Sequence, residues 1–299
     1  MEKINKLLFG IIGLWMFLAF FFGIFDLEIS KYAIIYKNSQ WSELGRKYGT
    51  EFDTPLLYLA ITILLGSIFN DIKMQRRIGF VMILYGISQM QISILTNNEQ
   101  NQFAAGIMIL FLLLFISLNY NKQWRQYIPI AISLILLITI LKISTTTMKL
   151  IWGRVRFRDL NSDAEFTPWY IINGNGHNQS QQSFPSGHTS AAWSFLPLLF
   201  LAKNKNIYKP IKMLLIIGVI GFGLFVAISR VLNGAHYASD VLFSTGIASI
   251  LTIFLYKLFY QSDFRIKGKE YDVSNSLKKI IFSPLTNQWM GIYLNKQGR

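Results

Sequence analysis

The strongest constraint on the fold of this chain is its series of long apolar segments. Most of them approach the ~20 residues that an α-helix needs to cross the hydrocarbon core of a bilayer. Hydrophobic residues make up 52% of the 299-residue sequence, and they are concentrated in these blocks. The pattern predicts an all-α fold, a polytopic membrane helical bundle. We expect about eight transmembrane helices, at residues 7–25, 55–69, 78–95, 103–118, 127–147, 189–202, 213–228 and 241–259.

The first apolar segment follows Lys3 and Lys6, so a secretory signal peptide is an alternative to a membrane span. The apolar core of a signal peptide is usually ~7–15 residues long and is followed by a small-residue cleavage site. Segment 7–25 is longer than that, and no such site follows it. We therefore interpret it as an uncleaved first span. The mixed segment 27–53 after it suits either an interfacial helix or a solvated loop.

The basic residues indicate how the helices are oriented. The net charge is +14, and Lys and Arg recur in alternate connectors, as is typical of connectors on the cytoplasmic side. This rule places segments 149–188 and 229–240 together on the extracytoplasmic side. A nucleic-acid partner is disfavoured, because no basic cluster lies on a soluble module. The connectors that carry this argument contain Lys73, Arg76, Arg77, Lys122, Arg125, Lys203, Lys205, Lys209 and Lys212.

Ionisable residues cluster where the last two apolar segments meet. His236 and Asp240 are four residues apart, so on a helix they would share one face. A carboxylate bonded to one imidazole nitrogen leaves the other nitrogen basic, as a histidine nucleophile or general base requires. The alternative is an interfacial histidine with an incidental acidic neighbour. Arg230 offers a planar fork of donors suited to phosphate oxygens. The alternative interpretation of Arg230 is a side chain that snorkels to the membrane interface and binds no phosphate.

A second motif, Pro185-Ser186-Gly187-His188, directly precedes another apolar segment. The proline and glycine suit a tight entry into a helix, whose free N–H groups and the Ser186 hydroxyl would then face an anion. His188 is placed to donate a proton to a leaving oxygen. Ordinary capping of the helix by Ser186 is the alternative, and it explains the serine but not the histidine.

A third group of residues is cationic. Lys149 and Arg156 are seven residues apart, about two helical turns, so both can face one pocket. Converging cations would stabilise the charge that develops on a transferring phosphoryl group. The alternative is an interfacial belt with Trp152. That belt does not explain Arg154 and Arg158, which the charge rule does not expect on the extracytoplasmic side.

Two other kinds of site can be built from the same residues. A serine hydrolase with Ser186 as nucleophile has no use for so many cations, and the sequence lacks a G-x-S-x-G elbow. A zinc site needs at least three ligands, which His177, His188, His236 and Asp240 could supply. The neighbouring Lys and Arg side chains would repel a divalent cation, and the sequence has no cysteine. We therefore predict that the site holds no metal.

Taken together, the motifs resemble the three signature motifs of the type 2 phosphatidic acid phosphatase (PAP2) superfamily. The second and third motifs match fully. The first departs, because Phe157 stands where the family usually has proline. The resemblance covers residues 145–259, and the segments that carry it are Lys149-x6-Arg156, Pro185-Ser186-Gly187-His188 and Ser229-Arg230-x5-His236-x3-Asp240.

The resemblance implies a metal-independent phosphatase without cofactors, with a helical core and a covalent phosphohistidine. His236 would be the nucleophile, Asp240 would orient it, and His188 would be the general acid. The chain would divide into N-terminal transmembrane helices at 1–126, a PAP2-like catalytic core at 127–260 and a cytoplasmic basic tail at 261–299. The phosphoryl oxygens would be held by Lys149, Arg156, Ser186, Gly187 and Arg230.

The expected substrate is a lipid phosphate, cleaved in the bilayer at the extracytoplasmic face of the cell membrane. A polyprenyl diphosphate such as undecaprenyl diphosphate is the first candidate, with a role in cell-wall biogenesis. Phosphatidic acid, phosphatidylglycerol phosphate and lysophosphatidic acid are close alternatives. A phosphotransferase would pass the same phosphoryl group to an acceptor other than water. A phospholipid-binding or transport protein would need the cations but not the His236–Asp240 pair. The sequence predicts no particular oligomeric state.

Overall fold

The structure is a computed structural model that describes residues 2–174, 176–203 and 208–260. These residues form nine α-helices, several short 3-10 helices and no β-strand, which confirms the predicted all-α fold. The tail predicted at 261–299 lies outside the described residues. The α-helices are α1 (Glu2–Ala33), α2 (Gln40–Tyr48), α3 (Asp53–Ser67), α4 (Ile72–Leu95), α5 (Glu99–Leu118), α6 (Ile128–Trp152), α7 (Gly187–Ala192), α8 (Lys209–Leu232) and α9 (Ala238–Tyr260).

The bundle is polytopic, as predicted, but the expected count of eight spans is not confirmed. Among the described residues, six helices are long and apolar enough to cross a membrane: α1, α4, α5, α6, α8 and α9. The apolar helix α3 has 15 residues. At 1.5 Å per residue it extends for only about 22 Å, which is less than the ~30 Å of the hydrocarbon core.

The span predicted at 189–202 is not a regular α-helix. α7 ends at Ala192, and a 3-10 helix continues from Trp193 to Lys203 with Pro197 inside it. A 3-10 helix rises about 2.0 Å per residue, more than the 1.5 Å of an α-helix. α7 and this 3-10 helix together therefore extend for about 31 Å, close to the thickness of the hydrocarbon core.

The mixed segment 27–53 is largely helical rather than a solvated loop. α1 extends through residues 27–33, and its residues Asp26 and Ser30 are buried inside the protein. α2 follows, and the Ser39 hydroxyl accepts a hydrogen bond from a backbone N–H of its first turn. α2 packs against α8 so closely that a Cβ on Gly45 would overlap the Ser229 side chain.

α6 lies at the centre of the bundle. One apolar cluster joins it to α3 and α9, and a second joins it to the 3-10 helix, α8 and α9. Its side chains Leu134, Leu137 and Leu141 are buried. Helices within a bilayer approach most closely through small residues, and Gly246 of α9 lies so close to the Trp15 ring of α1 that a Cβ would overlap it.

The antiparallel order of the helices brings the three motifs to one end of the bundle. Lys149 lies in the last turn of α6, and Arg230 lies in the last turn of α8. Ser186 caps the start of α7, and Asp240 lies in the first turn of α9. Two helix C-termini therefore meet two helix N-termini, and the predicted site residues lie at this junction.

Candidate active site

Main-chain hydrogen bonds join the motif segments at this end of the bundle. The Ser186 N–H donates to the Asp240 carbonyl at 3.3 Å, and the His236 N–H donates to the Arg230 carbonyl at 3.3 Å. The Arg156 N–H donates to the carbonyl of Ser180 at 2.8 Å, in the loop that leads to α7. These contacts bring together the motif segments that contain the eight predicted site residues: Lys149, Arg156, Ser186, Gly187, His188, Arg230, His236 and Asp240.

The His236 imidazole is held by a backbone carbonyl. Its Nδ1 lies 2.6 Å from the Ser183 carbonyl oxygen. A carbonyl only accepts hydrogen bonds, so Nδ1 carries the hydrogen and Nε2 keeps its lone pair. The ring is buried, with 3% of its side-chain surface exposed. This arrangement leaves Nε2 as the basic nitrogen of the ring.

The expected helical pairing of His236 with Asp240 is wrong in its geometry. α9 begins at Ala238, so the two residues do not share a helix face. The loop instead folds over the carboxylate, where the Tyr237 N–H donates to Asp240 Oδ2 at 2.9 Å. His236 Nδ1 lies 3.6 Å from that oxygen, beyond a direct hydrogen bond, so the nearer Ser183 carbonyl accepts the hydrogen bond from Nδ1.

Asp240 belongs to a buried ionic network that the sequence analysis missed. Arg154 Nη1 donates to Asp240 Oδ1 at 2.6 Å, and Arg154 Nη2 donates to Asp26 Oδ2 at 3.0 Å. All three charged side chains are fully buried. Ser183 Oγ donates to the other Asp240 oxygen at 2.5 Å, and the Ser239 N–H donates to Asp26 at 2.9 Å. The network ties α1 to the start of α9.

Arg154 and Arg158, which the charge rule leaves unexplained, therefore have structural partners. Arg154 neutralises two buried carboxylates, and the exposed Arg158 donates from Nη1 to Asn233 Oδ1 at 2.7 Å. Asp26 carried one signal in the sequence, because an acidic residue beside an apolar segment is costly unless it is paired. Nothing in the sequence indicated that Arg154 is its partner.

The pKa values of both site histidines are low. Burial disfavours the charged imidazole and lowers the pKa of His236 to about 4, although Asp240 opposes the shift. Burial, followed by the positive charge of Arg230, lowers the pKa of His188 to about 2. Both rings are therefore neutral at pH 7 when no anion is near. A neutral His236 is the form that can act as a nucleophile.

The cations Lys149, Arg156 and Arg230 lie at the same end of the bundle, and Lys149 is close enough to both arginines for their charges to act on its ammonium group. Arg230 Nε and Nη1 and Arg156 Nε are buried, and they have no hydrogen-bond partner in the described part of the chain. A buried charged donor without an acceptor is costly. Planar guanidinium groups with free donors are suited to phosphate oxygens.

The expectation that Lys149 and Arg156 share a helix is wrong. α6 ends at Trp152, because Gly153 adopts a left-handed conformation (φ 57°) and its N–H donates to the Lys149 carbonyl. The chain leaves the helix at this glycine. The turn directs Arg154 into the buried carboxylates, and it still returns Arg156 to the neighbourhood of Lys149.

Ser186 and Gly187 shape the start of α7. The Ser186 Oγ accepts from the Thr189 N–H at 3.3 Å and from the Thr189 hydroxyl at 2.9 Å, so this side chain caps the helix. The preceding Phe184–Pro185 peptide bond is cis. Gly187 faces Lys149, and a Cβ built on it would lie 3.3 Å from the Lys149 Nζ. The absence of a side chain at this position makes room for the ammonium group.

Comparison with known proteins relates the region that contains these residues to a family. The family model described as the PAP2 superfamily matches residues 130–264, which contain all eight site residues. This region of the chain, a little under half of its length, is similar to the PAP2 superfamily. Asp26 lies outside the PAP2 region, so the buried network joins it to an N-terminal helix that the family model does not include.

A shorter stretch of the chain is similar to a curated relative. It is 38% identical over 97 residues to phosphatidylglycerophosphatase B of Haemophilus influenzae. The stretch makes up 30% of this chain and 39% of that relative, so the chain spans well under half the length of the relative it matches. No solved structure matches the chain.

Metal binding has no support from the geometry. Within residues 2–174, 176–203 and 208–260, no group of three or more His, Asp and Glu residues is arranged to hold a metal ion. The metal-free site remains a prediction, and an activity assay with a chelator tests it.

Proposed function

We propose that this chain is an integral-membrane lipid phosphatase that transfers a phosphoryl group to His236 and then to water. The observation that carries the proposal is the set of buried, unpartnered guanidinium nitrogens of Arg156 and Arg230 beside a neutral imidazole. The similarities to the PAP2 superfamily and to a phosphatidylglycerophosphatase support the same class of reaction. The apolar helices support a lipid substrate that is reached within the bilayer.

In the first step, Nε2 of His236 attacks the phosphorus atom. A P–N bond forms while the P–O bond to the lipid breaks. Nδ1 keeps its hydrogen and donates it in a hydrogen bond to the Ser183 carbonyl, and the Asp240 carboxylate at 3.6 Å stabilises the positive charge that the ring gains. The three cations, Lys149, Arg156 and Arg230, bind the phosphoryl oxygens and stabilise the charge that develops on them.

His188 moves the proton that each step requires. A bound phosphoryl group places negative charge beside the ring and offsets the neighbouring cations, which favours the protonated imidazole despite the low pKa of the free site. His188 then donates its proton to the leaving oxygen of the lipid. In the second step it takes a proton from water, the water oxygen attacks phosphorus, and the P–N bond breaks to release inorganic phosphate.

The proposed location is the extracytoplasmic face of the cell membrane. The site lies at the end of the bundle that holds the C-terminus of α6 and the N-terminus of α7. The basic residues of the alternate connectors favour the cytoplasm for the opposite end. We propose undecaprenyl diphosphate as the first candidate substrate. The name of the Haemophilus influenzae relative adds support for phosphatidylglycerol phosphate.

A substrate panel tests the proposal. Purified full-length protein in detergent is given undecaprenyl diphosphate, phosphatidylglycerol phosphate or phosphatidic acid, and the release of inorganic phosphate is measured with and without EDTA. We expect release from at least one lipid at a rate that EDTA does not change, because no proposed step uses a metal. The absence of release from all three lipids would contradict the proposal. A product that forms only with an added acceptor would identify a phosphotransferase instead.

Replacing His188 with alanine is expected to slow the release of poor leaving groups most. A lipid alkoxide needs a proton as it departs, whereas an activated aryl oxide does not, so the loss should be about 10²- to 10⁴-fold for the lipid ester and much smaller for an aryl phosphate. The measurement compares kcat on the two substrates. Equal losses on both would remove His188 from the role of general acid.

Replacing Gly187 with valine is expected to lower kcat/KM by about 10- to 100-fold, the cost of disturbing one charged contact to the phosphoryl group. The added side chain would displace the Lys149 ammonium, which lies 3.3 Å from the position of a Cβ. Gly221→Val is the matched control, because a Cβ at Gly221 meets no atom within 4 Å. Wild-type activity in Gly187→Val would contradict the proposed contact.

A further inference from the structure

We propose that a second anion subsite, built around Lys142, binds a phosphate that stays on the leaving part of the substrate. The inference rests on the proposed function and deepens it, since it concerns which lipid phosphates the site prefers. The favoured class is a lipid that carries two phosphate groups, of which only the outer one is transferred. Lipid diphosphates and phosphatidylglycerol phosphate belong to this class, and phosphatidic acid does not.

A cavity of about 440 Å³ adjoins the active site. Lys149, Gly187 and His188 form the wall that it shares with the site, and Lys142 lies on its lining farther along α6. The α7 side of the cavity is also polar, because Ser190 contributes to the lining. The cavity therefore connects the proposed proton donor to a cation that the PAP2-like motifs do not contain.

Lys142 lies near the middle of α6, seven residues before Lys149. Seven residues are about two helical turns, so the two lysines share one face with about 10 Å between them along the helix axis. The Lys142 side chain is exposed, and no hydrogen bond or ion pair holds its ammonium group within the described residues. A cation at this depth of a membrane-crossing helix is costly and indicates a functional site.

The acidic residues of the cavity lie on other elements. Glu51 precedes α3 and accepts a hydrogen bond from the Thr50 hydroxyl at 3.0 Å, and Asp53 accepts from the Thr54 N–H at 2.6 Å. Neither carboxylate pairs with Lys142 in the described structure. The α6 wall is therefore the cationic wall of the cavity, and the anion would bind there.

The proposed chemistry directs the leaving group into this cavity. His188 lines the cavity and protonates the leaving oxygen in the proposed reaction. The leaving part of the lipid therefore lies on the cavity side of the phosphoryl group, within reach of the long and flexible Lys142 side chain. A second phosphate on that part would pair with Lys142. The diacylglycerol released from phosphatidic acid carries no such charge.

The test compares substrates rather than absolute rates. The kcat/KM of undecaprenyl diphosphate and that of phosphatidylglycerol phosphate are each divided by the kcat/KM of phosphatidic acid, for the full-length protein in detergent. We expect Lys142→Met to lower at least one ratio by about ten-fold, the cost of losing one charged hydrogen bond, and Lys142→Arg to restore it. Lys257→Met is the matched control, a lysine of α9 outside the cavity, and it should keep the wild-type ratios.

The outcomes separate this inference from the function on which it rests. Unchanged ratios, or equal losses on all three lipids, would overturn the subsite while leaving the phosphatase intact. Failure of the wild-type protein to release phosphate from any of the lipids would overturn both. A ratio that falls for only one of the two larger substrates identifies the spacing of phosphates that the subsite accepts. If Lys142→Met does not fold, Lys142→Gln is measured in its place.

Discussion

Replacing His236 with alanine is expected to lower kcat by at least about 10⁴-fold, because losing a covalent nucleophile removes the reaction path itself. The phosphoryl-binding cations would remain, so KM should change much less than kcat. The buried ring makes one direct contact through Nδ1, to the Ser183 carbonyl at 2.6 Å. The measurement is steady-state phosphate release by purified wild-type and variant protein.

The matched control for this prediction is His177→Ala. His177 is exposed and is not one of the eight predicted site residues. Its replacement should leave kcat near the wild-type value. If His236→Ala keeps kcat within ten-fold of the wild type, His236 is not the nucleophile. If His177→Ala and His236→Ala lose activity together, the histidines act in some way other than the one proposed.

Replacing Arg154 with methionine is expected to produce the largest loss of stability. The guanidinium lies between Asp26 and Asp240, all three side chains are fully buried, and no solvent would screen the two carboxylates after its removal. Breaking a buried ion pair by removing one partner costs about 3–5 kcal/mol in unfolding free energy. Denaturant titration of the protein in detergent measures this loss.

Arg158→Met is the control for the stability prediction, because Arg158 is exposed and donates to Asn233 at the protein surface. An exposed interaction of this kind contributes ~1 kcal/mol or less. If Arg154→Met and Arg158→Met lower the unfolding free energy by the same small amount, the buried network does not stabilise the fold. Asp26→Asn in the Arg154→Met background should recover part of the loss, since it removes one of the two unpaired charges.

The features that could be predicted from the sequence are those that depend on residues close together in the chain. Long apolar runs predicted the helices, and short motifs placed Ser186, His188 and Arg230 at helix ends. Each of these patterns reflects a rule that acts within a few residues, such as helix capping or the length of a bilayer-spanning helix. The structure brings these segments to one end of the bundle without any large change in their predicted positions.

The parts that the sequence did not predict depend on distant partners. Arg154 and Asp26 are 128 residues apart in the chain, and no local pattern joins them. The four-residue spacing predicts one helix for His236 and Asp240, but the Ser183 carbonyl, 53 residues from His236, holds its ring. The end of α6 at Gly153 was also missed, because a left-handed glycine depends on the path of the chain after it. The spacing of two helical turns therefore predicted correctly that Arg156 lies near Lys149. It predicted wrongly that both residues lie on one helix.

The most direct test of the proposed mechanism is to trap the phosphorylated enzyme. Full-length protein is mixed with lipid substrate labelled on its terminal phosphate, quenched in alkali within the first turnover and digested for peptide mapping. The mechanism predicts alkali-stable, acid-labile label on the peptide that contains His236, and none in His236→Ala. Label on the Ser186 peptide, or turnover without label on His236, would contradict it.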